Sequence, residues 1–135
     1  MSGRLIGEPT DPTRRAFAPW IVVVLALAVH LWGLYTTSPP DAGALSFPGI
    51  DKVAHVVLFA VPTWALLRVV PNQWFALVPM LLHVPVSELV QANVLANRGG
   101  EWWDAVAGLV GVAVGWWTVQ SQARMEGTPV RGQQE

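Results

Sequence analysis

Seven side chains that can ionise or form strong hydrogen bonds lie in or beside stretches of this chain that are otherwise apolar. They are Asp51, Lys52, His55, Glu88, Gln91, Arg98 and Asp104. Such groups are costly in hydrocarbon, so they usually face a bundle interior or a water-filled cavity and mark a functional site. Carboxylates, an imidazole and a guanidinium in one place suit the binding of a polar ligand, and suit acid–base chemistry equally well. The sequence therefore predicts one polar site in a membrane setting.

The composition is typical of an integral membrane protein. Of the 135 residues, 53% are hydrophobic and 13% are charged, whereas an average soluble domain has about 25% charged residues. The net charge of -1 provides no basic surface for nucleic acid. Because the chain has no cysteine, a disulfide framework, a thiolate nucleophile and a cysteine-ligated metal are all excluded.

Four apolar segments each approach the roughly 20 residues that a helix needs to span about 30 Å of hydrocarbon. We predict an all-α, four-helix transmembrane bundle with helices at about 16–35, 52–70, 74–93 and 102–121. They form one domain, 16–122, between tails at 1–15 and 123–135 that we expect to be disordered, because they have too little apolar surface to fold. Pro79 and Pro85 lie inside the third segment, so neighbouring helices should satisfy the carbonyls that these prolines leave without a donor.

Basic residues in the short flanking segments predict the orientation. Most of them lie on one side of the bundle: Arg14, Arg15, Arg68, Arg124 and Arg131. On the other side, Lys52 and Arg98 have acidic neighbours. The positive-inside rule then places both termini in the cytoplasm of a bacterial-type plasma membrane, with the polar site facing outward. The segment 36–50 would lie outside, either on the membrane surface or over the site as a lid.

This topology brings the polar residues to one level of the membrane. With a rise of about 1.5 Å per residue, His55, Gln91 and Asp104 all lie within roughly a turn of the outer helix ends. The fourth segment has a stripe of residues at intervals of four, three and four: Asp104, Gly108, Gly111 and Gly115. Small residues on one face let another helix approach closely. We therefore predict that the three glycines form a helix-packing stripe, with Asp104 at its outer end.

These motifs resemble those of the VanZ-like family of small membrane proteins. The matching features are Pro-x-x-Asp-Lys-x-x-His at 48–55, Glu-x-x-Gln at 88–91, Arg98, and Asp104 followed by spaced glycines. The resemblance covers about residues 20–120, in the same order along the chain. One position differs, since Gly108 stands where many relatives have Asn. The resemblance implies a link to tolerance of teicoplanin, a glycopeptide that acts on cell-wall precursors outside the membrane, but it implies no particular biochemical activity.

Three functions stay open, and we favour the first. It is a binding or protective role, in which the site recognises a membrane lipid, a lipid-linked cell-wall precursor or a glycopeptide, and Arg98 grips a phosphate or carboxylate. The second is an intramembrane enzyme with Glu88 or His55 as general acid or base, although no Ser or Thr stands beside them in a recognisable nucleophile motif. The third is a helical scaffold for another membrane protein or for a second copy, with the glycine stripe as the contact surface.

Each polar residue also has a purely structural interpretation. Asp51 could be only the N-cap of the second helix, with its side chain accepting backbone N–H groups. Asp104 lies in a first turn, where the helix dipole favours negative charge. Glu88 needs a partner in apolar surroundings, and Arg98 is the natural one, in a pair that could be structural whatever its function.

The three histidines do not predict a metal site. His30, His55 and His83 lie on three separate predicted helices, and none has the His-x-x-x-His spacing that places two ligands on one helix face. We therefore predict no metal ion and no cofactor.

Overall fold

The described part of the chain consists of four α-helices. The computed structural model describes residues 12–36, 49–95 and 102–127, which contain helix and turn but no strand. The helices are α1 (Pro12–Tyr35), α2 (Ile50–Val69), α3 (Trp74–Val94) and α4 (Trp102–Met125). The predicted all-α fold is confirmed for these residues. Arg98, the segment 37–48 and the outer parts of both predicted tails lie outside them.

The first and last helices are longer than the apolar segments predicted. α1 begins at Pro12 rather than at residue 16, because proline is well suited to the first helical position, where its missing N–H removes no bond. α4 continues to Met125 rather than to residue 121, since Gln, Ala and Arg in its last turn are good helix formers. The disorder predicted for the tails therefore does not apply to residues 12–15 and 123–125.

α1, α2 and α3 are long and apolar enough to cross a membrane. The spans are Phe17–Tyr35, Ile50–Val69 and Trp74–Val94. Large apolar side chains such as Phe17, Leu25 and Leu82 are exposed along these helices, as expected where the surrounding solvent is lipid. Among the described helices α4 is of similar length but less apolar, because it carries glycines, tryptophans and a polar last turn.

Contacts at the helix ends give an up-and-down bundle. α2 and α4 begin side by side, with Lys52 Nζ 3.4 Å from Asp104 Oδ1. They also end side by side, since Arg68 Nη1 donates to Gln122 Oε1 at 3.0 Å. α1 and α3 run in the opposite direction and end next to the starts of α2 and α4. We call this end of the bundle, where α2 and α4 begin, the polar end.

The glycine stripe of α4 packs against α2 of the same chain. Gly108, Gly111 and Gly115 are all buried. A Cβ atom added at Gly111 would lie 2.9 Å from Phe59 Cβ, and one added at Gly115 would lie 2.9 Å from Thr63 Cβ. Both distances are well inside normal van der Waals contact, so the absence of side chains is what permits this close approach.

The apolar core holds the polar end together because every helix contributes to it. Phe59 of α2 is completely buried at its centre. Leu34 of α1, Val84 of α3 and Val112 of α4 belong to the same cluster. The positions of the polar side chains at the polar end are therefore fixed relative to one another by the packing of all four helices.

Candidate functional site at the polar end

Lys52 lies between two carboxylates where α2 and α4 begin. Its Nζ is 2.6 Å from Asp51 Oδ2 and 3.4 Å from Asp104 Oδ1. The Asp51 and Lys52 side chains are 49% and 36% exposed, whereas that of Asp104 is only 9% exposed. The ammonium group therefore connects a buried carboxylate to the surface of the bundle, where a ligand can reach it.

The start of α2 determines where Asp51 points. Gly49 occupies the N-cap position with φ of 91°, a left-handed conformation that glycine adopts without strain. Asp51 lies in the first turn, where the helix dipole favours its charge. The interpretation of Asp51 as the N-cap is therefore wrong, and its side chain pairs with Lys52 instead.

His55 and Glu88 form a second, more buried pair. His55 Nε2 lies 3.4 Å from Glu88 Oε1, and the two side chains are 8% and 13% exposed. His55 Nδ1 donates to the Asp51 carbonyl at 3.0 Å, so a neutral imidazole presents a lone pair to Glu88. A hydrogen bond between the two side chains needs a proton on the imidazole Nε2 or on the carboxyl group. A buried imidazole and a carboxyl group in this arrangement can act as an acid or a base.

Gln91 lies close to this pair but has a structural partner. It is 2% exposed, and its Nε2 donates to the Leu34 carbonyl at 3.0 Å. Leu34 is in the last turn of α1, where carbonyls need partners from outside the helix. The Gln91 amide thus ties α3 to α1, and its contact with a ligand stays a prediction. The predicted Glu88–Arg98 pair lies outside the described residues.

A polar chain that the sequence did not indicate runs deeper into the bundle. The Tyr35 hydroxyl lies 2.7 Å from His83 Nε2, His83 Nδ1 lies 2.9 Å from His30 Nε2, and His30 Nδ1 donates to the Leu58 carbonyl at 2.6 Å. His30 is 1% exposed. We call Tyr35, His83 and His30 the Tyr–His–His chain.

Pro62 explains why the Leu58 carbonyl accepts from a side chain. Proline has no N–H group, so in α2 it cannot donate to the carbonyl four residues earlier, which is that of Leu58. His30 Nδ1 supplies the missing donor. The satisfaction of a proline-freed carbonyl by a neighbouring helix, predicted for Pro79 and Pro85, is seen here at Pro62. A histidine inside one apolar segment and a proline inside the next were the signals in the sequence.

The histidines do not converge on a metal ion. His30 and His83 are joined directly through their ring nitrogens, while His55 faces Glu88. Within residues 12–36, 49–95 and 102–127, no group of three or more His, Cys, Asp or Glu side chains is placed to hold a metal.

No known protein is available as a guide to what this site does. Comparisons with protein-family models, with curated proteins and with solved structures give no match. The resemblance to the VanZ-like family therefore stays a prediction from the sequence motifs. The function has to be inferred from the chemistry of the polar end.

Proposed function

We propose that this chain is a VanZ-like membrane protein whose polar end faces outward from a bacterial-type plasma membrane and binds the polar part of an envelope molecule. The candidates are a membrane lipid, a lipid-linked cell-wall precursor and a glycopeptide. The observation that carries the proposal is the accessible Lys52 ammonium between Asp51 and Asp104, beside the buried His55–Glu88 pair. α4 would be the fourth span, so that both termini lie in the cytoplasm.

The charges at the polar end favour a ligand that brings hydrogen-bond donors. Among the described residues, three carboxylates face one ammonium and one imidazole: Asp51, Glu88 and Asp104 against Lys52 and His55. An ammonium, hydroxyl or amide group of the ligand can donate to Asp51, the most exposed of these carboxylates. The exposed Asp51–Lys52 pair contributes little by itself, so Lys52 can exchange Asp51 for an anionic group of the ligand. Arg98 would add a second contact for phosphate or carboxylate.

Removing the ammonium should release the bound molecule. We expect Lys52→Gln to lower the amount of co-purified envelope lipid about tenfold, because a hydrogen bond to a charged group is worth about 1.5–3 kcal/mol and each 1.4 kcal/mol changes affinity about tenfold. The measurement is mass spectrometry of lipids that stay with the chain after gentle purification. Arg68→Gln is the matched control, since it removes one positive charge from the opposite end of α2 and should leave lipid retention unchanged. Equal losses in both variants would reject the polar end as the binding site.

An intramembrane acid–base enzyme is the second candidate, and the buried contact between His55 and Glu88 favours it. The same purification distinguishes the two functions when Glu88→Gln is included. In a binding protein, this variant changes which lipid is retained and no product forms. In an enzyme, wild type converts an added lipid while Glu88→Gln retains it unchanged.

A scaffold role has less support from the described residues. Gly111 and Gly115, the stripe that would have served as the contact surface, are already covered by α2 of the same chain. A partner would therefore have to bind a different face of the bundle.

The link to glycopeptide tolerance is tested in cells. If the polar end binds an envelope molecule through Arg98, cells expressing the intact chain should survive teicoplanin better than cells expressing Arg98→Ala at the same level. Survival curves at matched expression, with Arg68→Gln as the charge control, measure the effect. Equal survival of the intact chain and Arg98→Ala would reject the link to tolerance, though not the binding of lipid.

A further inference from the structure

The Tyr–His–His chain has a single consistent arrangement of hydrogens when both imidazoles are neutral. His30 Nδ1 must carry a hydrogen, because a carbonyl oxygen can only accept. His30 Nε2 is then an acceptor, so His83 Nδ1 donates to it. His83 Nε2 is in turn an acceptor, so the Tyr35 hydroxyl donates to it. Every polar atom of the two rings is used, and all three bonds point from Tyr35 towards Leu58.

One added proton reverses the direction of this chain. A proton arriving at the Tyr35 oxygen lets the hydroxyl pass its own hydrogen to His83 Nε2. His83 then passes its Nδ1 hydrogen to His30 Nε2, so the positive charge comes to rest on His30 while His83 becomes neutral again. Only O–H and N–H bonds break and form, and each transfer runs along a contact of 2.9 Å or less. In the protonated state, His30 still donates to Leu58.

The outer end of the Tyr–His–His chain lies beside the His55–Glu88 pair. Tyr35 follows Leu34, whose carbonyl accepts from Gln91, and Gln91 lies one turn from Glu88 on α3. The two Glu88 oxygens are buried. The other titratable groups at this end are His55 and Lys52 of α2 and Asp104 of α4. Glu88 is therefore the group placed to deliver a proton to Tyr35.

We infer that Tyr35, His83 and His30 form a relay that stores one proton inside the bundle and exchanges it with Glu88 at the polar end. The inference goes beyond the proposed binding function and does not depend on what the polar end binds. The proton-binding site lies inside the helix bundle and consists of Tyr35, His83, His30 and the Leu58 carbonyl. A purely structural role would need the bond to Leu58 but no uptake of a proton.

The hydrogen positions can be read directly by nitrogen NMR. The full chain, labelled with ¹⁵N in its histidine rings, is placed in lipid nanodiscs. At neutral pH we expect His30 and His83 to carry their hydrogen on Nδ1, with a scalar coupling between His83 Nδ1 and His30 Nε2 across the 2.9 Å contact. The chain has only three histidines, so His55→Gln identifies the His55 signals, and the nitrogen through which each remaining ring is coupled distinguishes His83 from His30.

Acidification then tests whether the Tyr–His–His chain stores one proton. We expect one proton to enter the two rings together, with the His83 hydrogen moving from Nδ1 to Nε2 and both His30 nitrogens becoming protonated. Hydrogen on Nε2 of either ring at neutral pH, or no coupling between the rings, would overturn the relay. Two independent protonations, or no uptake while the chain stays folded, would overturn the storage of one shared proton.

Two variants test the route that the proton takes. Tyr35→Phe removes the hydroxyl through which the proton enters, so proton exchange at His83 should slow at least tenfold while the coupling between the rings persists. Glu88→Gln should slow proton exchange at His83 at least tenfold, because the exchanging group is lost. Trp32→Phe is the control, since it changes an exposed aromatic residue of the same helix. Unchanged exchange at His83 in either variant would reject this route, and the exchange rate does not depend on lipid binding.

Discussion

Replacing Gly111 with leucine is expected to prevent the bundle from assembling. Gly111 is buried against α2, where an added Cβ would meet the Val56 carbonyl and lie 2.9 Å from Phe59 Cβ. The nearest obstacles are backbone and a Cβ, which cannot move aside as the end of a flexible side chain can. Leucine therefore has no rotamer that avoids separating α2 from α4, the most closely packed pair in the bundle. The expected result is loss of folded protein after membrane extraction.

A smaller side chain at position 111, and a leucine on an exposed face of the same helix, make this prediction quantitative. Gly111→Ala adds only the Cβ and should lower the free energy of unfolding by about 1–3 kcal/mol, the usual cost of overpacking. Ala113→Leu adds a larger side chain on an exposed face of the same helix and should change stability by less than about 0.5 kcal/mol. Denaturant unfolding in detergent measures Gly111→Ala and Ala113→Leu, and the yield of folded protein after membrane extraction measures Gly111→Leu. A Gly111→Leu protein as stable as Ala113→Leu would show that α2 and α4 are not packed through this stripe.

Replacing His30 with leucine is expected to cost stability in a way that depends on Pro62. In the wild-type background, the variant leaves the Leu58 carbonyl without the donor that His30 provides. It also leaves His83 Nδ1 without its acceptor. Each buried polar group that loses its partner costs about 1–3 kcal/mol. The free energy of unfolding should therefore fall by about 2–6 kcal/mol.

Pro62→Ala should remove part of that cost. Alanine restores the backbone N–H that can donate to Leu58 within α2, so in this background His30→Leu no longer leaves the carbonyl unsatisfied. A double-mutant cycle should then give a coupling energy of about 1–3 kcal/mol between positions 30 and 62. His83→Leu serves as the control, because His83 belongs to the same chain but does not touch Leu58, and it should show little coupling to Pro62. Additive effects of His30→Leu and Pro62→Ala would mean that the histidine does not compensate for the proline.

The sequence by itself determined the helices and identified the polar and charged side chains that are costly to bury in hydrocarbon. A membrane-spanning helix satisfies its backbone hydrogen bonds within one segment, so its existence can be predicted from a local run of apolar residues. The glycine stripe is visible for a similar reason, since residues three and four apart share a helix face. The end residues were less predictable: α1 starts at Pro12 and α4 reaches Met125, because helix propensity continues beyond the apolar run.

The tertiary structure decided which of those side chains meet. Each residue turns a helix by about 100°, so the partner of a side chain depends on the rotation and depth of every neighbouring helix, which no single segment encodes. Packing placed His55 against Glu88 and joined His30 to His83, whereas the sequence assigned only His55 to the polar site and indicated no partner for His30 or His83. Local patterns thus specify the helices, and only their packing specifies the polar end and the Tyr–His–His chain.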